Sequence, residues 1–179
     1  MKKKILITGG AGFLSQNLFN YLNNDFNLYL TFNKSKPQIR NDKYVKINLI
    51  NFSEIDKLII DLKPDYILNA AGLTNVDSCE YNKKSAFDQN VKIVKNLSKL
   101  CKIYKIKLIH ISTDHLFSGV KSFYNELDNP RPLNVYSRTK LQAEKYIKQN
   151  LKDYTIIRSN YFGWDKKNSN KFFSWIFKN

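Results

Sequence analysis

Cysteine is nearly absent, with Cys79 and Cys101 the only two in 179 residues. Neither belongs to a Cys-x-x-Cys pair and each falls in a segment of helical periodicity, so both read as buried thiols, and a disulfide framework or structural zinc site has no basis. Long apolar runs are missing too. Nothing approaches the roughly 18 consecutive apolar residues of a membrane span, and the Lys2, Lys3, Lys4 run leads straight into a strand-like segment rather than a signal-peptide core. A cytoplasmic protein without a membrane partner is expected. Acids are scarce: 15 Asp and Glu stand against 30 Lys and Arg, a formal charge of +15. Such a charge would suit nucleic acid if it were clustered on one face. The lysines instead run through nearly every segment beside abundant Asn and Ile, so no nucleic-acid partner is expected, and mild steering of an anionic small substrate suits the charge better.

What is present is the material of a folded globule, 42 % hydrophobic and 14 % aromatic, in a length that gives one domain a real core. Lys3 to Thr8 is a short apolar run closed by Gly9 and Gly10, as expected of a strand buried on both faces. Phe13, Leu14, Leu18, Tyr21 and Leu22 then recur at helical spacing. Leu28 to Phe32 predicts a second strand, 34–42 a polar loop, and Tyr44 to Ile47 a third strand. A helix over Ser53 to Asp61, with Ser53 as its cap, precedes a fourth strand from Tyr66 to Ala71. One long helix is marked by Phe87, Val91, Val94, Leu97, Cys101 and Tyr104. Lys107 to Ser112 is the fifth strand, Asn134 to Asn150 a helix, and Tyr154 to Arg158 the sixth strand. Alternation of this kind specifies a parallel sheet covered on both faces and wound right-handedly.

The segment Thr8-Gly9-Gly10-Ala11-Gly12-Phe13-Leu14-Ser15 joins the first strand to the first helix, the context that gives a glycine pattern meaning. Gly9 allows a sharp turn, and Gly12 removes a side chain that would hold the N–H groups around Phe13 and Leu14 away from a pyrophosphate. At the end of the second strand no acid is available for ribose hydroxyls. Lys34 stands there, suited to a 2′-phosphate and hence to NADPH over NADH, or simply a surface lysine. Asn48 and Leu49 follow the third strand, where an amide and an aliphatic chain can meet an adenine edge.

Tyr136 and Lys140 lie four residues apart on one face of a predicted helix. Of eleven tyrosines, Tyr136 alone has lysine at that offset. Reduction of a ketone needs a hydride and a proton, and a phenol with a pKa of about 10 becomes a workable partner at neutral pH when a cation such as Lys140 lowers it. Thr113, at the end of the fifth strand, can donate to the same carbonyl oxygen, or be merely a β-former. His110 reads as structural and His115 as a wall residue.

The glycine spacing resembles that of extended short-chain dehydrogenases, with Ser15 at the usual third glycine. Longer stretches narrow the likeness. Pro64 to Asp77, containing Asn69-Ala70-Ala71-Gly72-Leu73-Thr74-Asn75-Val76-Asp77, Ser112-Thr113-Asp114-His115-Leu116-Phe117-Ser118-Gly119, Pro132 to Glu144 around Tyr136 and Lys140, and Ile157-Arg158-Ser159-Asn160-Tyr161 are similar to the dTDP-4-dehydrorhamnose reductase family. That resemblance implies a Rossmann-like doubly wound sheet in three α/β/α layers and NADPH-dependent reduction of the 4-keto group of a nucleotide sugar. An epimerase or dehydratase of the same superfamily, or a non-catalytic NADP-binding regulatory subunit, are the alternatives. It further implies that Ala70, Ala71, Gly72 and Leu73 line the nicotinamide half of the cofactor, that Thr113, Tyr136 and Lys140 serve catalysis, and that Thr113, Asp114 and Tyr161 contact substrate. Residues 1–160 would form the cofactor domain and 161–179 the start of a shortened substrate-binding region. The apolar segment Phe172-Phe173-Ser174-Trp175-Ile176-Phe177 predicts completion by a second copy or another subunit.

Overall fold

Six short runs of branched and aromatic residues become six parallel strands in a computed structural model that describes residues 1–35 and 43–161. The strands are β1 (Lys4–Thr8), β2 (Asn27–Phe32), β3 (Tyr44–Lys46), β4 (Tyr66–Asn69), β5 (Lys107–Ser112) and β6 (Tyr154–Arg158), in the spatial order β3-β2-β1-β4-β5-β6. Parallel neighbours require a crossover between them. These are supplied by helices α1 (Phe13–Leu22), α2 (Phe52–Leu62), α3 (Val76–Tyr81), α4 (Lys83–Phe87), α5 (Ile93–Tyr104) and α6 (Val135–Asn150). The expected Rossmann-like α/β architecture is therefore what the chain adopts.

Period-two alternation divides the core between the two faces of the sheet. Ile5 and Ile7 of β1 face α1, packing with Phe19, Leu28, Leu30, Leu68 and Ile111. Leu6, between them, points the other way, into a larger cluster where Ile67 and Leu108 meet Ile55 and Ile59 of α2, Leu97 and Leu100 of α5, and Ala143 and Ile147 of α6. Cys79 and Cys101 are both free and buried, and burial pushes the Cys101 thiol up to about 12. Among the described residues, no helix is long and apolar enough to cross a membrane.

Three local readings are corrected. The cap of α2 is Asn51, whose side chain accepts from the Ser53 N–H, so the helix starts one residue before the expected cap. Strand β4 stops at Asn69 rather than Ala71, because its last partner is Thr8, after which β1 enters the glycine bend and offers no ladder. The long helix is preceded by α3 and α4, and its first turn, Asp88–Lys92, is π-helical. That wider turn carries the buried Asn90. Residues 36–42 of the polar loop and the apolar segment from Phe172 to Phe177 lie outside the described residues.

Candidate functional site

Because every strand is parallel, the ends of β1, β4 and β5 reach one edge of the sheet, and the residues just beyond them share it. Gly9 follows β1 at φ +71°, a conformation that L side chains rarely adopt. A Cβ there would lie 2.8 Å from the Ala70 carbonyl oxygen and 2.9 Å from the Ala71 backbone, so the bend packs directly on the end of β4. Gly12 opens α1, and among the described residues no side chain caps that helix, nor is there an acid in its first turn. By contrast α2, α3, α4 and α6 are each capped by an asparagine, Asn51, Asn75, Asn82 and Asn134. A helix start without a side-chain cap or a first-turn acid suits an anion. Phe13 is half-buried in the first turn, and Leu14 packs toward the α1-side core.

The other predicted cofactor residues are dispersed along the same edge. Lys34 is exposed just past β2. Asn48 is exposed too, but its Oδ1 accepts from the Ile50 N–H at 3.1 Å, which commits that oxygen locally. Leu49 is turned into the core, 7 % exposed, beside Ile47 and Ile55, so its side chain is not the aliphatic wall envisaged for adenine. Ala70 and Ala71 run beside the glycine bend, while Leu73 is pinned by Asn90. The Leu73 N–H donates to Asn90 Oδ1 at 2.8 Å, and Asn90 Nδ2 donates to the Leu73 carbonyl and to Thr139 Oγ1, each at 3.0 Å. A side chain at Gly72 would collide with that Oδ1 at 2.8 Å.

Helix α6 presents Tyr136 and Lys140 from one face, both buried. Its start is fixed by a capping box between Asn134 and Ser137 and by Glu80, which accepts from the Val135 N–H at 2.6 Å. The Thr113 hydroxyl donates to Asp114 Oδ1 at 3.3 Å, accepts from the His115 N–H at 3.2 Å, and lies near the Tyr136 phenol. Burial raises the phenol above its ordinary value, the nearby Thr113 hydroxyl opposes that rise, and the charge of Asp114 adds to it. This departs from the expected lowering by Lys140, whose Nζ is aimed elsewhere, donating to the Ile111 carbonyl at 2.5 Å and lying 3.5 Å from His110 Nε2. Burial brings Lys140 down to about 8. His115 meets the Tyr136 ring edge-on at 6.0 Å, and Tyr161 lies close enough for its charge to bear on that phenol.

Beyond Asp114 opens a cleft of about 610 Å³, lined by Asp114, His115, Ser118, Tyr124, Asn134 and Arg158 among others. Tyr136 does not line it; His115 belongs to both. Arg158 is held by a bidentate pair with Glu144, Nε to Oε1 at 3.0 Å and Nη2 to Oε2 at 2.7 Å, with Glu144 only 1 % exposed.

Several residues of this site have no role assigned from the sequence. Thr8, Asn69 and His110 form a buried row beneath the edge: Thr8 Oγ1 donates to Asn69 Oδ1 at 2.6 Å, and Asn69 Nδ2 lies 3.0 Å from His110 Nδ1. Asn90, Glu80 and Glu144 act at long range in sequence. The available signal was that each is a polar residue inside an apolar or helical run, which foretells a partner but does not name it.

A dinucleotide-type sheet with a glycine bend at the end of β1 and a Thr, Tyr, Lys set beyond β5 defines the short-chain dehydrogenase class. Within it, residues 2–178 match the family described as the RmlD substrate binding domain, and the chain belongs to that family. It is 31 % identical over 153 residues to the dTDP-4-dehydrorhamnose reductase of Aggregatibacter actinomycetemcomitans, covering 80 % of this chain and 46 % of the relative. It is 30 % identical over 158 residues to Methionine adenosyltransferase 2 subunit beta of Bos taurus, covering 87 % of this chain and 46 % of that protein. The dTDP-4-dehydrorhamnose reductase of Bacillus anthracis, solved in complex with NADP, superposes with a TM-score of 0.77 at 27 % identity, over 88 % of this chain and 53 % of its own. The chain thus spans about half the length of the relatives it matches.

Proposed function

We propose that the chain is the cofactor-binding part of an NADPH-dependent reductase that acts on the 4-keto group of a nucleotide-linked deoxysugar. The observation that carries this reading is Tyr136, buried with Thr113 beside it, at the sheet edge that also holds the Gly9 bend. The likeness to reductases, one of them in complex with NADP, supports it. The residues present fit a dinucleotide: α1 begins at glycine without a side-chain cap, and Lys34 rather than an acid follows β2, which favours a 2′-phosphate and NADPH, with NADH as the alternative. In this reading residues 1–160 are the cofactor domain and 161–179 begin the substrate-binding part.

When bound, NADPH supplies the hydride. Tyr136 holds the proton that the nascent alkoxide requires, and a phenol kept above its ordinary value by burial stays protonated at neutral pH, the state in which it can act as an acid. Thr113 orients the carbonyl by donating to the same oxygen. Lys140, pinned to the Ile111 carbonyl, would present its amine toward the nicotinamide ribose. Asp114 and Tyr161 would flank the sugar, and Ala70, Ala71, Gly72 and Leu73 would back the nicotinamide, with Asn90 fixing Leu73.

Titration with NADPH, followed by fluorescence, and then a panel of dTDP-, UDP- and GDP-linked 4-keto sugars tests the reading. Saturable NADPH binding with turnover of one sugar class is expected, and lack of NADPH binding overturns it. The similarity to Methionine adenosyltransferase 2 subunit beta favours a second reading, a regulatory subunit that binds NADP without turnover. Cofactor binding with no oxidation on any sugar, together with a stable complex with a methionine adenosyltransferase catalytic subunit, would select it.

A further inference from the structure

Beneath the sheet edge, a row of hydrogen bonds crosses three strands from the glycine bend to Lys140, and each member has one sense in which it can point. The Ala71 N–H donates to Thr8 Oγ1 at 3.2 Å, which leaves the Thr8 proton for Asn69 Oδ1 at 2.6 Å. That choice turns the Asn69 amide nitrogen, 3.0 Å away, toward His110 Nδ1. A nitrogen that accepts carries no proton, so the imidazole must hold its proton on Nε2. Nε2 is the atom that faces Lys140 Nζ at 3.5 Å.

We propose that His110 is a positioning residue for Lys140: the row from the bend fixes its tautomer so that an N–H, not a lone pair, faces the lysine amine. An N–H there disfavours an ammonium and can donate to an uncharged amine. The lysine's own donor is sent to the Ile111 carbonyl at 2.5 Å instead, which aims Nζ along the sheet edge. The reverse sense fails on two counts. Fully buried Thr8 would accept from both Ala71 and Asn69, with its own proton unplaced. His110 would then accept from an ammonium, a charge-assisted bond that runs to about 2.8 Å, whereas the separation is 3.5 Å.

Other charged groups near Lys140 do not alter the direction. Glu144, one turn along α6, raises the lysine, but it is already engaged by Arg158 in a bidentate pair. Tyr136 stays protonated through the neutral range because burial raises it. His110 is buried and held well below its ordinary value, first by burial and then by Lys140, so it is neutral. The balance leaves Lys140 at about 8. The bend that would take the cofactor phosphates and the lysine that would meet its ribose are thereby joined through the protein, a consequence that rests on the proposed reductase reading. The tautomer and the lysine titration do not.

Only two histidines are present, so long-range 1H–15N spectra of the uniformly labelled full chain, with a His115→Asn variant for assignment, read the tautomer directly. Expected is a bare Nδ1 and a protonated Nε2 on His110 from about pH 5 to pH 9. A protonated Nδ1, or an imidazole that charges in that range, overturns the proposal. The Lys140 midpoint is then followed through its 13Cε, assigned by Lys140→Arg. Asn69→Leu keeps the shape, removes the donor to Nδ1 and releases the other tautomer, so the Lys140 midpoint should rise by about one pH unit. Thr8→Val, further along the row, should raise it less, and an unchanged midpoint in both folded variants overturns the proposal. NADPH titration of the unmodified chain separates the two questions: no binding removes the reductase reading while leaving the tautomer result intact.

Discussion

The two halves of the sheet edge hold their shape by different means. Around β1 to β3 the bend is kept mostly by the main chain, with the Gly10 N–H donating to the Thr31 carbonyl at 2.6 Å and the Gly12 N–H to Gly9 at 2.9 Å, joined by the Gln16 side-chain amide donating to the Gly10 carbonyl. Around β5, β6 and α6 it is side chains that tie the elements together: Asn90 to the loop after β4, Glu80 to the start of α6, and Arg158 to Glu144. A phosphate asks only for N–H groups and room, which almost any sequence with glycines in place can give. A proton that must arrive at one oxygen asks for side chains locked by their neighbours. The phosphate half should therefore be sensitive to added atoms and the chemical half to lost ones.

The largest expected effect is on chemistry alone. Tyr136→Phe removes the proposed proton donor and should lower sugar-dependent NADPH oxidation by about 10³-fold, while NADPH binding changes little; stopped-flow oxidation and fluorescence titration measure the two, and retained turnover removes Tyr136 from its role. Next is Arg158→Met, which leaves buried Glu144 without its bidentate partner and with only the looser Lys148 at 4.0 Å. A loss of about 3 kcal/mol is expected from urea unfolding, because an uncompensated buried charge costs more than the pair contributes.

How much of this was legible in the sequence follows the same division. Spacing rules act on local backbone, so β5 and β6 were located to the residue, and the Gly9 to Gly12 bend and the four-residue step from Tyr136 to Lys140 could be placed on their elements. What tertiary partners decide was not legible. Leu49 has the right type for an adenine wall, yet the α2 face of the core claims it. Asn69 and His110 stand 41 residues apart and meet only because β4 and β5 pair in register. The expected lowering of the phenol fails for the same reason, since burial, which no spacing reports, raises it while Lys140 is turned to the Ile111 carbonyl. The π-helical turn has no composition signal, and without it Asn90 would not be read as a strut.

Back in the phosphate half, Gly9→Ala forces a side chain into a left-handed position and against the β4 backbone, with a stability loss of about 2 kcal/mol expected and NADPH binding weakened as well. Gly12→Ala places its Cβ at 3.1 Å from a single carbonyl, that of Gly9, and should cost clearly less. Thermal scans of the two variants side by side rank them. Equal losses would mean that the bend is not held by the contact with Ala70 and Ala71.

The smallest effect reverses the usual sign. Lys140 in the unfolded chain titrates near 10.5, and burial brings it to about 8 in the native one. Between those values the unfolded state holds a proton that the native state lacks, so stability rises as pH climbs through the interval and carries its full penalty below it. Lys140→Met removes the amine and keeps most of the packing. At about pH 7 the variant should be more stable by about 1 kcal/mol, the relief of charging being partly offset by the lost bond to Ile111. That gain should vanish by about pH 10, because the native amine is then neutral and most of the charging penalty has been lost. Urea midpoints at the two pH values decide it: a variant less stable at both would show that the bond to the Ile111 carbonyl outweighs the cost of burying the amine.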